Sequence, residues 1–388
     1  MYFTKPFLAV LTLFFASSAV AGSGTDVYSA PPQLDDGIIT GDLPAAGLDA
    51  APILSLLNRA RKREREDGFR ELHSLLVYKD GFLVLEEYFA GNDDFIHFEN
   101  GVLRDSGRER VQWSRDDKHY VASVNKSLTA TVAGIALDRF QVPLDQPLVL
   151  LLPGKSERFD TEKKASVTLR HVLTMQLGFE WNEWESSDLA LMWQSGDFTE
   201  FLLSRDNDGP GFTWRYNSAA PNMLLRALEN LVHEPIRTWA DREFYAMLGI
   251  TDYRWESQPD GYPEGSARMY LRPRDMLKIG MCYLDGGVWN GQQVIPGRWV
   301  DAVSKVQARG DAGDYSYYFW LRNLQGIRYI SAEGDGGQYI NVFPDQDMVI
   351  VMTQGNYFEW PFYAEQADDI MANYIFSAIN LPQDRATP

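Results

Sequence analysis

The amino-acid sequence predicts an α+β fold, in which an antiparallel β-sheet is flanked by helices and interrupted by an inserted all-α domain. Two β-favouring apolar runs, 72–78 and 82–88, are separated by Lys79-Asp80-Gly81, which is typical of a hairpin turn. From about residue 123 to 255 the apolar residues follow helical spacing, and from 315 to 354 they form β-favouring runs again. Because strands occur near both ends of the chain and helices in the middle, we expect both ends to build one sheet.

The order of these runs divides the chain into four predicted parts. They are a signal peptide over residues 1–21, a Gly-, Pro- and Asp-rich leader arm over 22–48, a sheet domain formed by 49–118 and 265–388, and a helical domain over 119–264. In the sheet domain we expect helices over about 49–66, 273–284, 296–306 and 363–379, and strands over 315–322, 327–332, 339–343 and 348–354. In the helical domain we expect helices over about 128–140, 168–175, 221–232 and 235–248.

The N-terminus has the three parts of a secretory signal peptide. Lys5 supplies positive charge, and the apolar run 7–15 follows it. Ala19-Val20-Ala21 then has the small-x-small pattern of a cleavage site. The apolar run is too short to cross a bilayer as a helix. We therefore expect cleavage after Ala21 and a periplasmic or secreted protein without a stable membrane anchor.

The composition excludes several classes of partner. The net charge of −18 over 388 residues repels phosphate backbones, so we expect no nucleic-acid binding. The single cysteine, Cys282, cannot form an intramolecular disulfide. The five histidines lack the paired spacing of a zinc site, so we expect no metal and no other cofactor. The expected partner is a small molecule, and the oligomeric state stays open.

Ser123 and Lys126 form the first candidate catalytic element. They stand in Ser123-Val124-Asn125-Lys126 at the predicted start of a helix, so their side chains share one face. The positive end of the helix dipole stabilises negative charge near the Ser123 hydroxyl, and the unpaired N–H of Ser123 can donate to an oxyanion. The alternative is that Ser123 only caps the helix and that Lys126 is a surface residue.

Tyr216-Asn217-Ser218, on a loop before a predicted helix, is the second candidate element. An ammonium group beside a tyrosine stabilises the phenolate, which can then act as general base toward a serine hydroxyl. The alternative is that Tyr216 only packs its ring in the core.

A Gly-rich segment before a predicted strand is the third candidate element. It runs from 331 to 339 and contains Asp335, Gly336, Gly337 and Gln338. Glycines let the backbone approach a substrate closely, and backbone N–H groups there can complete an oxyanion hole. The alternative is an ordinary Gly-rich turn.

Together, the Ser-x-x-Lys motif, the Tyr-centred triplet and the Gly-rich segment resemble the serine β-lactamase and penicillin-binding-protein superfamily. The resemblance is strongest to its class C-like branch, which contains esterases, D-peptidases and 6-aminohexanoate-dimer hydrolases. Other stretches that match are 77–81, 169–178, Arg274-Asp275 and 336–340 before Pro344. The resemblance implies the β-lactamase/transpeptidase-like form of the α+β fold.

The same resemblance implies a role for each candidate residue. Ser123 would be acylated, and Lys126 and Tyr216 would together be the general base and acid. The first oxyanion donor would be the N–H of Ser123. The second would be the N–H of Asp335 or, in an ungapped alignment, that of Ala332. The substrate and oxyanion residues would be Asn217, Asp335, Gly336, Gly337 and Gln338.

One departure from the family pattern narrows the expected substrate. Ala332-Glu333-Gly334 stands where β-lactamases and D-peptidases have Lys-Thr-Gly or His-x-Gly, so a cation for a substrate carboxylate is missing. We therefore expect an exported serine hydrolase that cleaves an ester or amide bond. The alternatives are a β-lactamase or D-Ala-D-Ala carboxypeptidase, and a non-catalytic ligand-binding or sensor protein on the same fold.

Three tryptophans of the helical domain, Trp181, Trp184 and Trp193, are the remaining candidates for contact with a ligand. For these three side chains we favour packing in the core over a wall of the substrate site.

Overall fold

The computed structural model describes residues 28–62, 68–92, 96–99, 102–105, 109–310 and 312–379. The predicted signal peptide and the first residues of the predicted arm lie outside them. The strands are β1 (Leu72–Lys79), β2 (Phe82–Tyr88), β3 (Ala90–Asn92), β4 (Ile96–Glu99), β5 (Val102–Asp105), β6 (Arg110–Gln112), β7 (His119–Tyr120), β8 (Arg254–Trp255), β9 (Met269–Leu271), β10 (Val288–Trp289), β11 (Gln292–Gln293), β12 (Ala308–Gly310), β13 (Gly313–Ser316), β14 (Phe319–Leu324), β15 (Ile327–Gly334), β16 (Gln338–Phe343) and β17 (Met348–Gln354).

Helices precede, separate and follow these strands. They are α1 (Ala50–Lys62), α2 (Val124–Arg139), α3 (Glu162–Ala165), α4 (Leu169–Leu173), α5 (Asp188–Ser195), α6 (Phe198–Leu203), α7 (Ala219–Val232), α8 (Ile236–Ala240), α9 (Pro273–Leu284), α10 (Gly297–Val303), α11 (Phe362–Ile370) and α12 (Phe376–Ala378). Within the described ranges, none of the helices is both long enough and apolar enough to cross a bilayer.

The central sheet is antiparallel and has the strand order β12-β13-β14-β15-β16-β17-β1-β2. Its N-terminal hairpin joins the C-terminal strands where β1 pairs with β17, with Leu76 opposite Val351. This pairing confirms that both ends of the chain build one sheet. The β1–β2 turn has positive φ angles of 49° at Asp80 and 90° at Gly81, as a two-residue hairpin turn requires.

Successive residues of a strand point to opposite faces of the sheet, and helices cover both faces. Leu76 and Val351 face a core shared with α9 and with the helices between β7 and β9, which include α2. Their neighbours Leu75 and Ile350 face a second core beneath α1 and α11. The fold is therefore the expected α+β arrangement, with the sheet between two helical layers.

The helical block lies along the chain between β7 and β9, and these two strands pair, with His119 opposite Leu271. The chain thus enters and leaves the block at neighbouring positions. Because the core of the block is continuous with one core of the sheet, the boundaries at 119 and 264 stay predictions.

One predicted strand is wrong in its course. The run 315–322 is divided between β13 and β14, with Tyr317 and Tyr318 at the turn. Their φ angles of 40° and 67° lie in the left-handed region, which bulky residues rarely adopt. The sequence has no Gly, Asn or Asp there to indicate a turn, so the run is predicted as continuous.

Two predicted helices also change character along their length. The predicted helix 235–248 passes from α8 through a π turn at Asp241–Tyr245 to a 3-10 turn at Ala246–Leu248. The closing helix contains a π turn at Met371–Ile375, between α11 and α12. The short strands β3 to β6 were not predicted, because runs of three or four residues give little periodic signal.

The described part of the predicted arm follows the edge of the sheet at β2. The Leu83 N–H donates to the Ile39 carbonyl at 2.8 Å, and the Gly41 N–H donates to the Leu83 carbonyl at 3.1 Å. These bonds satisfy backbone groups that an edge strand otherwise exposes.

Arg274 holds the same arm by an ion pair. Its Nη1 lies 2.7 Å from Asp36 Oδ2 on the arm, and its Nε lies 3.1 Å from Glu86 Oε1 on β2. The side chains of Arg274 and Glu86 are only 4% and 1% exposed. Glu86 Oε1 also lies 2.9 Å from Arg115 Nε, so two arginines balance this buried carboxylate.

A close backbone contact joins β15 to the turn that leads into α2. A Cβ atom added to Gly334 would lie 2.3 Å from the Val121 carbonyl oxygen. The next residue in that turn, Ala122, has a strained φ of 47°. The absence of a side chain at Gly334 therefore sets the distance between the strand and Ser123.

We predict that Arg274→Ala will lower the free energy of unfolding by about 3–5 kcal/mol, because it removes a buried cation from both Asp36 and Glu86 and leaves Glu86 only its pair with Arg115. The measurement is urea denaturation followed by circular dichroism. Arg309→Ala is the control, because Arg309 is 81% exposed in its ion pair with Asp314. It should cost less than about 1 kcal/mol. Equal losses for the two variants would contradict the prediction.

We also predict that Gly334→Ala will separate β15 from the turn before Ser123. The expected results are a loss of about 1–3 kcal/mol in the free energy of unfolding and a fall of about tenfold or more in the rate at which a fluorophosphonate labels Ser123. Gly154→Ala is the control, because an added Cβ there meets open space. Labelling of the Gly334→Ala protein at the wild-type rate would contradict the prediction.

Candidate active site

Ser123 lies at the start of the buried helix α2, as the sequence predicts. It occupies the N-cap position, but its side chain makes no capping hydrogen bond. Its Oγ instead accepts a hydrogen bond from Lys126 Nζ at 2.9 Å. The hydroxyl therefore contacts the amine one helical turn away, and the alternative of a simple capping serine does not describe its contacts.

Lys126 is buried, with only 2% of its surface exposed. Besides Ser123, its Nζ donates to the Ser266 carbonyl oxygen at 3.1 Å. Burial of an amine is unfavourable unless it is hydrogen-bonded. These two acceptors hold the amine against Ser123, so Lys126 is not the surface residue of the alternative reading.

Tyr216 lies beside this pair. The Lys126 Nζ is 4.8 Å from the centre of the Tyr216 ring, and the ring is half-buried. The reactive side chains of the first two candidate elements, Ser123, Lys126 and Tyr216, therefore lie close together.

The residues after Tyr216 fix its position on the loop. Asn217 Oδ1 accepts hydrogen bonds from the N–H groups of Ala219 and Ala220, at 2.8 and 3.1 Å, and so caps α7. The Ser218 N–H donates to Glu183 at 3.0 Å, and the Ser218 hydroxyl bonds the same carboxylate. The side-chain oxygen of Asn217 thus has a structural use beside the substrate role that the resemblance implies.

Three tryptophans surround the Tyr216 ring. Trp184 and Trp320 lie nearly parallel to it, with centroid distances of 5.8 and 6.3 Å, and Trp214 lies 6.2 Å away at an angle. Trp184 is 79% exposed, so the expectation of core packing is wrong for it, whereas Trp181 is 5% exposed and lies in the core. The sequence gives no indication that Trp214 and Trp320, which are about a hundred residues apart, meet at Tyr216.

Two backbone N–H groups next to the site have no acceptor within the described ranges. They belong to Ser123 and Asp335. Ala332, the other candidate for the second oxyanion donor, is inside β15 and pairs with Ile340. The contact between Gly334 and Val121 places the end of β15 against the turn that contains Ser123.

The remaining residues of the Gly-rich segment have close packing partners. A Cβ atom on Gly336 would meet the Tyr357 ring at 2.6 Å, and one on Gly337 would meet Gln354 Cδ at 2.5 Å. The Gln338 side chain is fully buried and donates to the Gln354 carbonyl at 2.6 Å. The segment therefore has the tight backbone that was expected, but the Gln338 amide is directed into the protein.

The carboxyl group of Asp335 also turns back toward the protein. It accepts a hydrogen bond from the Phe358 N–H at 3.2 Å, and the Tyr363 hydroxyl bonds it as well. Burial raises the pKa of Asp335 above its usual value, although these hydrogen bonds act in the opposite direction.

An arginine that the sequence reasoning missed lies beside the site. Arg322, on β14, makes a bidentate pair with Glu333, with distances of 2.7 and 2.8 Å, and its guanidinium lies 4.5 Å from the Trp320 ring centre. Burial lowers the pKa of Arg322, but its hydrogen bonds to Glu333 and the charge of that residue outweigh burial and raise the pKa overall. In the sequence, the one indication of the position of Arg322 was the alternation of side chains along β14. The turn at Tyr317 and Tyr318, which the sequence does not indicate, obscured that alternation.

No group of three or more metal-ligating side chains in the described residues could hold a metal ion.

Comparison with known proteins gives the same picture. The family model described as Beta-lactamase matches residues 63–371. The 6-aminohexanoate-dimer hydrolase of Paenarthrobacter ureafaciens is 26% identical over 292 residues, which cover 65% of this chain and 69% of that protein.

Two solved structures share the fold. Simvastatin synthase (LovD) from Aspergillus terreus has a TM-score of 0.64 and 16% identity, covering 85% of this chain and 99% of its own. A family VIII carboxylesterase has a TM-score of 0.62 and 15% identity, covering 82% of this chain and 97% of its own. Because the family model spans most of the chain, the protein belongs to the Beta-lactamase family of serine hydrolases.

Proposed function

We propose that this protein is an exported serine hydrolase that cleaves an ester or amide bond through an acyl-enzyme on Ser123. The observation that carries the proposal is the 2.9 Å contact between Ser123 Oγ and the buried amine of Lys126. A serine hydroxyl is a weak nucleophile until an adjacent base takes its proton. Export rests on the predicted signal peptide and stays a prediction.

Acylation begins when Ser123 Oγ attacks the carbonyl carbon of the substrate. A C–O bond forms, the serine proton passes to the Lys126–Tyr216 pair, and the carbonyl electron pair moves to oxygen. The N–H groups of Ser123 and Asp335 then stabilise the oxyanion. When it collapses, the bond to the leaving group breaks, and the pair returns its proton to the leaving oxygen or nitrogen.

Deacylation repeats these steps with water as the nucleophile. Tyr216 accepts a proton from the water, which attacks the acyl carbon. Collapse of the second oxyanion releases the acid and returns a proton to Ser123. No step needs a group from outside the protein except water and the substrate.

The charges beside the site favour a substrate without a carboxylate near the reacting bond. Arg322 is the cation on the neighbouring strand, but Glu333 already binds it in a bidentate pair. A penicillin or a peptide C-terminus would therefore find no free cation there. The aromatic rings of Trp184, Trp214 and Trp320 favour apolar groups next to Tyr216 instead.

We predict that Ser123→Ala will abolish both fluorophosphonate labelling and hydrolysis of p-nitrophenyl esters. Intact mass spectrometry and the release of p-nitrophenol are the measurements. Ser74→Ala is the control, because it also deletes one buried serine hydroxyl, which bonds Thr353 at 2.7 Å in the sheet. A wild-type protein without label and turnover, or a Ser123→Ala protein that keeps both, would refute the assignment.

We further predict that Glu333→Gln will change substrate preference by releasing the Arg322 charge. The ratio of kcat/KM for a p-nitrophenyl hemisuccinate to that for a neutral ester of similar length should rise by about tenfold. Asp314→Asn is the control, since it removes an equal charge from the exposed pair with Arg309. An unchanged ratio in Glu333→Gln would show that Arg322 does not select the substrate.

A further inference from the structure

The segment Glu264–Arg268 supplies the second hydrogen-bond acceptor of Lys126. The Lys126 Nζ donates to the Ser266 carbonyl oxygen at 3.1 Å and contacts Ser123 Oγ at 2.9 Å. When the amine is neutral, it has two N–H donors and one lone pair. A carbonyl that fixes one N–H limits the directions in which the lone pair can point, and so helps aim it at the Ser123 hydroxyl.

Glu264 lies behind this carbonyl and is fully buried. Its Oε1 accepts from the Ser266 N–H at 3.0 Å, from the Ser266 hydroxyl and from Asn222 Nδ2 at 3.1 Å. Its Oε2 accepts from the N–H groups of Ala267 and Arg268, at 2.6 and 2.7 Å. Each of these partners is a hydrogen-bond donor, so both oxygens of the Glu264 carboxyl group act as acceptors.

A single peptide group connects this carboxylate to the amine. The carbonyl of Ser266 and the N–H of Ala267 belong to one planar unit. The oxygen of that unit accepts from Lys126, and its N–H donates to Glu264 Oε2. Hydrogen bonds in such a chain polarise one another, so the carboxylate strengthens the carbonyl as an acceptor.

The same segment is attached to the catalytic helix on its other side. Asn125 Nδ2 donates to the Glu264 carbonyl at 2.6 Å, and Thr129 Oγ1 donates to the Gly265 carbonyl at 2.8 Å. Both donors lie on α2, as does Lys126. The segment therefore has little freedom to move relative to the amine that it contacts.

We propose that Glu264 is a positioning residue for Lys126, acting through the peptide group between Ser266 and Ala267. The proposal rests on the proposed function, because it gives Lys126 the role of base. Glu264 does not touch the substrate. It fixes and polarises the carbonyl that directs the lysine amine, so its loss should affect the chemical step and leave substrate binding intact.

The test compares Glu264→Gln with Glu86→Gln. A glutamine places an amide NH2 group where the carboxylate accepts hydrogen bonds, and it removes the charge. Glu86→Gln is the matched control for the loss of a buried carboxylate, because the Glu86 side chain is 1% exposed.

For Glu264→Gln we expect kcat on a p-nitrophenyl ester to fall by about tenfold to a hundredfold per folded molecule, with KM within about twofold of wild type. Glu86→Gln should keep kcat within about threefold. Circular dichroism gives the folded fraction. A Glu264→Gln protein with wild-type kcat, or with its whole loss in KM, would overturn the proposal.

If Glu264→Gln does not fold, Ala267→Pro tests the same link, because proline lacks the N–H that donates to Glu264. A folded Ala267→Pro protein should lose kcat in the same way, and wild-type kcat would overturn the proposal. Failure of both variants to fold, while Glu86→Gln folds, would assign Glu264 to stability alone and overturn the proposal. Lack of turnover in the wild-type protein would refute the proposed function instead.

Discussion

The burial of the Lys126 amine is the constraint on which the rest of the site depends. A buried amine is tolerated only where acceptors surround it, and here Ser123 Oγ and the Ser266 carbonyl take that place. Those two groups come from positions about 140 residues apart in the chain. The segment that follows the helical block must therefore pack closely against α2. The core shared by the block and the sheet provides that packing.

The position of Ser123 depends on a second close approach. The turn before α2 passes so near to β15 that only glycine fits at position 334, and Ala122 has a left-handed φ of 47°. Such strain is stable only where the surrounding structure fixes it. Here the sheet fixes it, because β15 lies between β14 and β16. The turn that contains Ser123 therefore lies against the end of β15, next to Asp335, and the N–H groups of these two residues have no acceptor within the described ranges.

Two kinds of side chain lie beside the site. They are the aromatic rings of the three tryptophans around Tyr216 and the charged groups of Arg322 and Glu333, which pair with each other. Trp184 reaches Tyr216 from the helical block, whereas Trp320 reaches it from β14 on the sheet. Arg322 follows Trp320 on the outer part of the same strand, and Glu333 on β15 neutralises it. This arrangement supports the proposal of an ester or amide substrate without a carboxylate at that position. In the sequence only Glu333 was recognised, whereas the structure adds the cation that it binds.

The sequence by itself predicted the fold class from local periodicity. Its short motifs, through their resemblance to a known family, indicated the serine–lysine–tyrosine set and the Gly-rich segment. It also placed Ser123 and Lys126 on one helical face, since that follows from spacing alone. Only the tertiary structure decided that Trp184 is exposed beside Tyr216, that Arg322 is bound by Glu333, and that Tyr317 and Tyr318 form a turn. These features depend on contacts between distant segments or on strained backbone that surrounding packing imposes, and neither leaves a local pattern in the sequence.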